Sequence, residues 1–312
     1  MIITISFNPA IDKTLDVSEY NYAGVNRILH SEIDAGGKGI NVAKDLKELG
    51  ENPMVLGFIA GESGIQFKRM VDKDNIRNDF IPIYGKTRIN MKIIESDGKI
   101  TEFNESGPEV FKDQINELMF KIEGYATENT VFVMSGNVPN GINKDIYKRI
   151  TEIAHRRGAK VVVGAQGELL SNVIQSKPEM IKIKIKDIEE RYDKGEINYL
   201  DDEKIVHILS EIMSMGIKYI ILSFGEKGAV FASEDKILKC NSLKVKRHST
   251  IGAGDALIAG MLYGIENKMS FEESVKYSMA VSTGSVMTIG TKAPSRKVVK
   301  SLIEKIEVKQ IG

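Results

Sequence analysis

The feature that most constrains this fold is a regular alternation of strand-like and helical segments between residues 110 and 223. Strands that alternate with helices of this length are typical of parallel βαβ units. The periodicity predicts helices over 110–123, 143–157 and 202–214, and strands over 130–134, 159–163, 180–185 and 218–223. We therefore predict an α/β fold with a central, mainly parallel sheet.

The flanking segments add a first strand, a second group of short strands and a helical end. Residues 2–7 predict a strand, glycines precede a helix over 40–49, and a hairpin over 229–239 precedes helices over 255–263, 271–287 and 295–306. Short extended stretches over 12–34 and 79–105 predict a small antiparallel sheet. The predicted domains are an α/β body (1–11, 35–77 and 106–312) and a β lid (12–34 and 78–105). Alternating lysine and isoleucine at the start of 182–191 predicts an exposed strand with one solvated face.

Composition excludes several classes of protein. The 312 residues carry 43 basic and 43 acidic side chains, so no net field favours binding to nucleic acid. Cys240 is the only cysteine, which rules out an intrachain disulfide and a cysteine-based zinc site. No apolar run approaches the roughly 20 residues that span a bilayer, and the first residues do not resemble a leader. We expect a cytoplasmic protein with no membrane or nucleic-acid partner.

The sharpest local motif is TIGAGDA, residues 250–256, a glycine-rich turn that leads into a helix. The first N–H groups of a helix lack intrahelical partners and carry partial positive charge, so they bind anions. Asp255 beside such an anion site has the chemistry of a base that accepts a proton from an attacking hydroxyl. The alternative is that Asp255 only caps the helix.

A second motif is AGGKGINVA, residues 35–43. Its three glycines allow the backbone to approach a ligand closely, and Lys38 and Asn41 follow at the helix start. A cation beside free N–H groups suits a phosphorylated sugar. On its own the segment is also compatible with an ordinary glycine turn.

Together, in this order, the two motifs resemble the signatures of the phosphofructokinase-B branch of the ribokinase-like sugar kinases. The resemblance extends along the chain through NPAID (8–12), TRINMK (87–92), SGNVP (135–139) and LSFGEKG (222–228). TRINMK, EFNESGPEV (102–110) and GAQGELL (164–170) are most similar to 1-phosphofructokinases, whose close relatives phosphorylate tagatose 6-phosphate. The resemblance implies a three-layer α/β fold with a β lid, and ATP-dependent conversion of fructose 1-phosphate to fructose 1,6-bisphosphate with Mg²⁺.

The resemblance also implies roles for individual residues. Asp255 would be the base, with an anion hole formed by the N–H groups of Gly252, Ala253 and Gly254. The sugar phosphate would contact Asp12, Gly37, Lys38, Asn41, Arg88 and Asn90, with Arg27 a further candidate for the phosphate. The nucleotide would lie near Ser223, Gly225 and Gly228. Lid strands in this family often pair across a dimer, so a homodimer through the lid is expected.

Two positions depart from the family pattern. Gly164 stands where relatives carry an aspartate, and Lys184 and Asp187 stand where a KPNxxE segment places an Asn and a Glu that help to organise magnesium and the nucleotide phosphates. One hypothesis is that Lys184 contacts the ATP phosphates and alters the magnesium dependence, with Asp187 as a possible metal ligand. The other is that the fold persists as a sugar-phosphate-binding or regulatory homologue with negligible turnover. The remaining site residues favour the active kinase.

Overall fold

A computed structural model describes residues 1–192 and 197–312 of the chain. The strands are β1 (Ile2–Ser6), β2 (Ala10–Val17), β3 (Ile28–Gly36), β4 (Met54–Ala60), β5 (Arg77–Ile83), β6 (Arg88–Glu95), β7 (Ile100–Asn104), β8 (Val131–Ser135), β9 (Lys160–Gly164), β10 (Met180–Lys184), β11 (Tyr219–Ser223), β12 (Gly228–Ala232), β13 (Ile237–Asn241) and β14 (Lys309–Gln310). The α-helices are α1 (Lys38–Glu48), α2 (Gly61–Lys73), α3 (Lys112–Tyr125), α4 (Ile146–Arg156), α5 (Gly167–Val173), α6 (Ile185–Tyr192), α7 (Asp202–Ser214), α8 (Ala253–Glu266), α9 (Phe271–Ser285) and α10 (Arg296–Ile303).

The central sheet has the strand order β14-β13-β12-β11-β10-β9-β8-β1-β4-β5 within the described residues. Along this order, the strands β5, β4, β1, β8, β9, β10 and β11 run parallel to one another. At one edge, β12, β13 and β14 continue the sheet as antiparallel strands. The inner parallel strands are mostly apolar because helices cover both of their faces, whereas the edge strand β5 begins with three polar residues. The predicted α/β fold with a mainly parallel sheet is confirmed.

Two apolar cores make this a three-layer fold. One core joins the sheet to helices α3 to α7, around fully buried Phe132, Tyr147 and Ile150. The other joins the opposite face to α1, α8, α9 and α10, around Phe231, Ile258 and Val275. No helix in the described ranges is long and apolar enough to cross a membrane.

The carboxyl ends of the parallel strands meet at one edge of the sheet. Ser6, Ser135, Gly164, Lys184 and Ser223 are the last residues of β1, β8, β9, β10 and β11. In open α/β sheets ligands bind outside this edge. The motifs singled out from the sequence follow these strand ends, so the topology brings them to one place.

The second sheet contains four strands in the order β3-β2-β6-β7. The prediction of a purely antiparallel lid is wrong, because β2 pairs with β6 in parallel while the outer pairs are antiparallel. The parallel pair arises because β2 and β6 both leave the body at the same edge, where Ala10 pairs with Arg88. The lid therefore starts directly beside the carboxyl end of β1.

Two segments fold differently from the sequence prediction. Residues 79–83, expected in the lid, belong to β5, which pairs with β4 at the edge of the central sheet. Residues 182–191, expected to form one exposed strand, divide into the end of buried β10 and the start of α6. Lys182 is only 8% exposed. For 79–83 the pattern identified extended backbone but not the sheet it joins, and for 182–191 it indicated a strand where residues from Ile185 onward form a helix.

Helices α8 and α9 approach closely at Gly260, which generates a stability prediction. A methyl group at Gly260 would lie 2.6 Å from the Ser278 Cα, so Gly260→Ala forces the two backbones apart. We expect Gly260→Ala to lower the free energy of unfolding by about 1–3 kcal/mol. Chemical denaturation followed by circular dichroism measures the change.

Gly124→Ala is the matched control, because Gly124 is an exposed residue of α3 with open space around its Cα. Because alanine loses less backbone entropy on folding than glycine, Gly124→Ala should raise the free energy of unfolding by about 0.5–1 kcal/mol. Equal effects of the two substitutions would contradict the close packing of α8 on α9.

Candidate active site

The start of α8 forms a site for an anion. Gly252 lies at the N-cap with φ +86°, a left-handed conformation that favours glycine. The helix begins at Ala253, two residues earlier than predicted, so Asp255 lies within its first turn. The first N–H groups of α8 have no partner within the helix and face the strand ends. Gly252, Ala253 and Gly254, the residues predicted to form an anion hole, lie at this helix start.

Asp255 is buried beside this helix start, with 6% of its surface exposed. Asn41 Nδ2 donates a hydrogen bond to Oδ2 at 3.0 Å, and Ser135 Oγ donates one to Oδ1 at 3.0 Å. The carboxylate makes no capping hydrogen bond to α8. Two side chains from α1 and β8 thus fix the carboxylate in one orientation, which a base needs and a helix cap does not.

Burial raises the pKa of the Asp255 carboxyl above its ordinary value. The positive charge of Lys38 and the hydrogen bonds from Asn41 and Ser135 act in the opposite direction without cancelling the effect of burial. A carboxylate with a raised pKa is a stronger proton acceptor than an exposed one. The environment of Asp255 therefore suits a general base.

Lysines lie around the carboxylate and the anion hole. Lys38 is the first residue of α1, and its side chain packs against Gly136, where a methyl group would lie 3.1 Å from the lysine Cδ. Lys182 of β10 is buried, and a methyl group at Gly254 would lie 3.0 Å from its Nζ. Burial lowers the pKa of Lys182 to about 8, while the negative charge of Asp255 opposes that shift. Sequence analysis identified Lys38 but missed Lys182.

A second polar cluster lies in the lid. Asn90 Nδ2 donates to Asp12 Oδ1 at 2.9 Å, and Lys92 Nζ donates to Asp12 Oδ2 at 3.0 Å. The three side chains are all less than 9% exposed. A methyl group at Gly36 would lie 2.3 Å from Asp12 Oδ2, so this glycine makes room for the carboxylate. The lid therefore carries a fixed charge pair beside the predicted sugar site.

Both clusters contain buried acceptors that lack a protein donor. Within the described residues, Asn41 Oδ1 and Asn90 Oδ1 have no hydrogen-bond partner. An unpaired buried acceptor costs about 1–3 kcal/mol unless a ligand or water donates to it. Sugar hydroxyl groups are suitable donors for both amide oxygens.

The predicted phosphate ligands differ in placement. Arg88 is half-buried at the junction of body and lid, where it donates to the carbonyl oxygens of Asn8 and Glu105 at 3.0–3.3 Å. Three N–H groups are engaged there, which leaves two of the five for a phosphate. Gly37 lies at the N-cap of α1 with φ +113°. Arg27 is exposed in the loop before β3, and the hydrogen bonds and ion pairs of the described chain do not join it to the other site residues.

The three residues predicted to border the nucleotide lie at the end of β11 and in the segment that leads into β12. Ser223 is half-buried, and its Oγ donates to the Ile183 carbonyl at 3.2 Å. Gly225 has φ +60° and open space where a side chain would extend. Gly228 is different, because a methyl group there would lie 2.1 Å from the Cys240 carbonyl oxygen. Close strand packing is sufficient to explain the glycine at 228, whereas Ser223 and Gly225 lie open at the strand end.

Gly164 faces Ser135 rather than open space. A methyl group at this position would lie 2.8 Å from the Ser135 Oγ and 2.7 Å from the Ile258 Cδ1. Ser135 is the residue that donates to Asp255. The glycine that replaces the usual aspartate therefore leaves room for this hydroxyl, a contact that the sequence did not reveal.

The region of Asp187 does not have the composition of a magnesium site. Magnesium takes oxygen ligands and usually binds one or two carboxylates together with substrate phosphates. The Asp187 Oδ2 accepts a hydrogen bond from the Lys184 backbone N–H at 2.9 Å, at the start of α6. Over 1–192 and 197–312, no three His, Cys, Asp or Glu side chains cluster closely enough to hold a metal ion. Lys182 and Lys184 of β10 precede Asp187, and their ammonium groups fit a polyanion better than a cation.

Comparison with known proteins places this site in a family. Residues 6–298 match the family described as pfkB family carbohydrate kinase. The 1-phosphofructokinase of Borreliella burgdorferi is 32% identical over 288 residues, which are 92% of each chain. The tagatose-6-phosphate kinase of Staphylococcus epidermidis is 29% identical over 313 residues and matches 100% of both chains.

A solved structure shows the same fold. The structure of phosphofructokinase-2 from Escherichia coli in complex with substrates and products matches 97% of this chain and 98% of that chain, with a TM-score of 0.92 at 22% identity. The family match covers both glycine motifs, the lid and the strand ends that carry the polar clusters. The chain belongs to the pfkB family of carbohydrate kinases.

Proposed function

We propose that this kinase transfers the γ-phosphoryl group of ATP to a hydroxyl of fructose 1-phosphate and forms fructose 1,6-bisphosphate. The observation that carries the proposal is the Asp255 carboxylate, buried beside the free N–H groups of α8 and oriented by Asn41 and Ser135. The similarity to 1-phosphofructokinases supports the choice of sugar.

The lid and body hold the sugar phosphate between them. Asp12 is fixed by Asn90 and Lys92, so its carboxylate accepts hydrogen bonds from sugar hydroxyls at little further entropic cost. Lys38 and the remaining N–H groups of Arg88 supply positive charge for the sugar phosphate. Closure of the lid over the body would exclude water, so that the sugar hydroxyl receives the phosphoryl group.

The chemical step requires one proton acceptor and one anion site. The attacking hydroxyl oxygen forms a bond to the γ-phosphorus as the bond from that phosphorus to the bridging oxygen of ADP breaks. The hydroxyl proton passes to the Asp255 carboxylate, and ADP leaves as the anion. Negative charge on the transferring group is stabilised by the N–H groups of Gly252, Ala253 and Gly254, in the way that preorganised donors stabilise oxyanions.

The donor lies along the ends of β10 and β11. Ser223 and Gly225 border open space there, and the Lys182 and Lys184 side chains extend from the neighbouring strand. We propose ATP as the phosphoryl donor, which carries magnesium with it from solution. Asp187 accepts a hydrogen bond from the backbone N–H of Lys184 at the end of β10, and the proposal does not require it to hold the ion. We place the reaction in the cytoplasm, which supplies ATP and keeps the buried free thiol of Cys240 reduced.

Tagatose 6-phosphate is the second candidate substrate, because a tagatose-6-phosphate kinase is 29% identical over the whole chain. Fructose 1-phosphate carries its phosphate on carbon 1, whereas tagatose 6-phosphate carries it on carbon 6. A regulatory homologue without turnover is the third possibility raised by Lys184 and Gly164. The intact contacts of Asp255 favour catalysis over that possibility.

We also propose that two copies of the chain form a homodimer through their lids. On β6 the side chains alternate, so that Asn90 and Lys92 are buried while Ile89 and Met91 are 37% and 42% exposed. Exposed Phe103 on the neighbouring strand β7 pairs with Met91 and extends this apolar face, and exposed Ile33 lies on β3, two strands away across Lys13 of β2. The lid of a second copy carries the same apolar face, so the two lids can pair through a self-complementary contact.

The first test of the function is ADP release with ATP, magnesium and each of fructose 1-phosphate, tagatose 6-phosphate and fructose 6-phosphate. Fructose 1-phosphate should give the highest kcat/KM. Asp255→Asn should lower kcat by roughly 10²- to 10⁴-fold, because the amide cannot accept the proton. Asp235→Asn, in the exposed turn between β12 and β13, is the charge-matched control and should keep full activity. Absence of turnover with all three sugars would overturn the kinase proposal.

The pH dependence tests the environment of Asp255. Activity needs the ionised carboxylate, so it falls as the pH drops through the raised pKa of Asp255. Removal of a hydrogen bond to the ionised form raises that pKa further. Ser135→Ala should therefore move the acid limb of kcat/KM to higher pH, whereas Ser214→Ala, on the exposed end of α7, should not. An acid limb unmoved in Ser135→Ala would contradict the assignment of Asp255 as base.

The oligomer is tested by light scattering after size-exclusion chromatography. Met91→Glu places a charge in the apolar outer face of the lid and should convert a dimer to a monomer. Phe120→Glu, on the exposed surface of α3, is the control and should leave the mass unchanged. A wild-type monomer at micromolar concentration would contradict the lid interface.

A further inference from the structure

The phosphate donor site contains a cluster of lysines that approach it from two elements. Residues alternate between the faces of β10, and Ile181 and Ile183 pack into the core formed with α3 to α7. Lys182 and Lys184 therefore lie on the opposite face, toward α8. Lys184 is the last residue of the strand and is exposed, two positions beyond the buried Lys182.

These lysines lie close enough to influence one another. Burial, together with the smaller effects of the positive charges of Lys184 and Lys38, lowers the pKa of Lys182 to about 8, although the negative charge of Asp255 opposes the shift. Cations that are brought together in this way are stabilised by a polyanion that binds among them. The free N–H groups at the start of α8 face the same space and add partial positive charge.

Two carboxylates of this region, Asp255 and Asp187, accept hydrogen bonds from the protein. Asp255 is bonded to Asn41 and Ser135, and one oxygen of Asp187 accepts the Lys184 N–H. Asp45, one turn beyond Asn41 on α1, is 4% exposed and packed within the body. The positions at the end of β10 thus carry positive charge where an ion-organising site needs oxygen ligands.

We propose that Lys184 binds the phosphates of the donor nucleotide directly, together with Lys38 and Lys182, so that ATP binds this kinase tightly without a protein-organised magnesium ion. The inference rests on the proposed function for the identity of the donor. A lysine is suited to the role because its compact ammonium neutralises phosphate oxygens as a point charge. Its exposed position at the strand end lets it follow the phosphates without distortion of β10.

The test compares wild type with Lys184→Asn, which replaces the ammonium group with a neutral amide. ATP affinity is measured by calorimetry in EDTA and again with excess magnesium. We expect Lys184→Asn to lose roughly 10- to 100-fold in affinity in EDTA, the range for a charge-assisted hydrogen bond, and to recover most of it with magnesium. Lys218→Asn is the control, since Lys218 is exposed beside the amino end of β11, at the opposite edge of the sheet.

Turnover at increasing free magnesium gives a second readout. Wild type should reach half-maximal rate at a lower free magnesium concentration than Lys184→Asn. Coincident magnesium curves, or equal affinities for ATP in EDTA, would overturn the proposal while leaving the kinase function in place. If no sugar drives ADP release, the affinity in EDTA still decides the role of Lys184 independently of catalysis.

Discussion

The burial of one carboxylate is the constraint on which the site depends. Asp255 loses most of its hydration at the start of α8, and an isolated buried charge would be strongly destabilising. Asn41 and Ser135 compensate by hydrogen bonds, and Lys38 and Lys182 compensate by charge. These groups come from α1, β8 and β10, so the site exists only when the parallel sheet and its helices are assembled.

The same arrangement explains why the glycines are concentrated at this edge. Gly252 adopts a left-handed conformation to begin α8, and Gly254 leaves room for the Lys182 ammonium. Gly164 leaves room for the Ser135 hydroxyl, and Gly36 does the same for Asp12 in the lid. Small residues here allow charged and polar side chains to converge on a ligand from several elements at once. The departures at 164 and 184 therefore alter the details of the site and preserve its carboxylate and anion hole.

Much of the body could be predicted from the sequence because its strands are continuous β-branched runs and its helices are strongly periodic. Asp255, Lys38 and Asn41 were found because they lie in short motifs that bind anions. Lys182 and Ser135 were missed because their roles arise from contacts across the fold, and Ser135 lies 120 residues from Asp255. The placement of 79–83 was wrong because alternation along a strand shows which side chains share a face and does not show which sheet the strand joins. The exposed strand expected over 182–191 was wrong because Lys182 is buried in β10 and residues from Ile185 onward form α6.

We propose that this chain directs a phosphoryl group from ATP to a sugar hydroxyl and away from water. ³¹P nuclear magnetic resonance of the purified protein with ATP, magnesium and fructose 1-phosphate measures this directly. We expect equal amounts of ADP and fructose 1,6-bisphosphate, with no inorganic phosphate. ADP accompanied by inorganic phosphate, or ATP left unchanged, would contradict the proposed transfer.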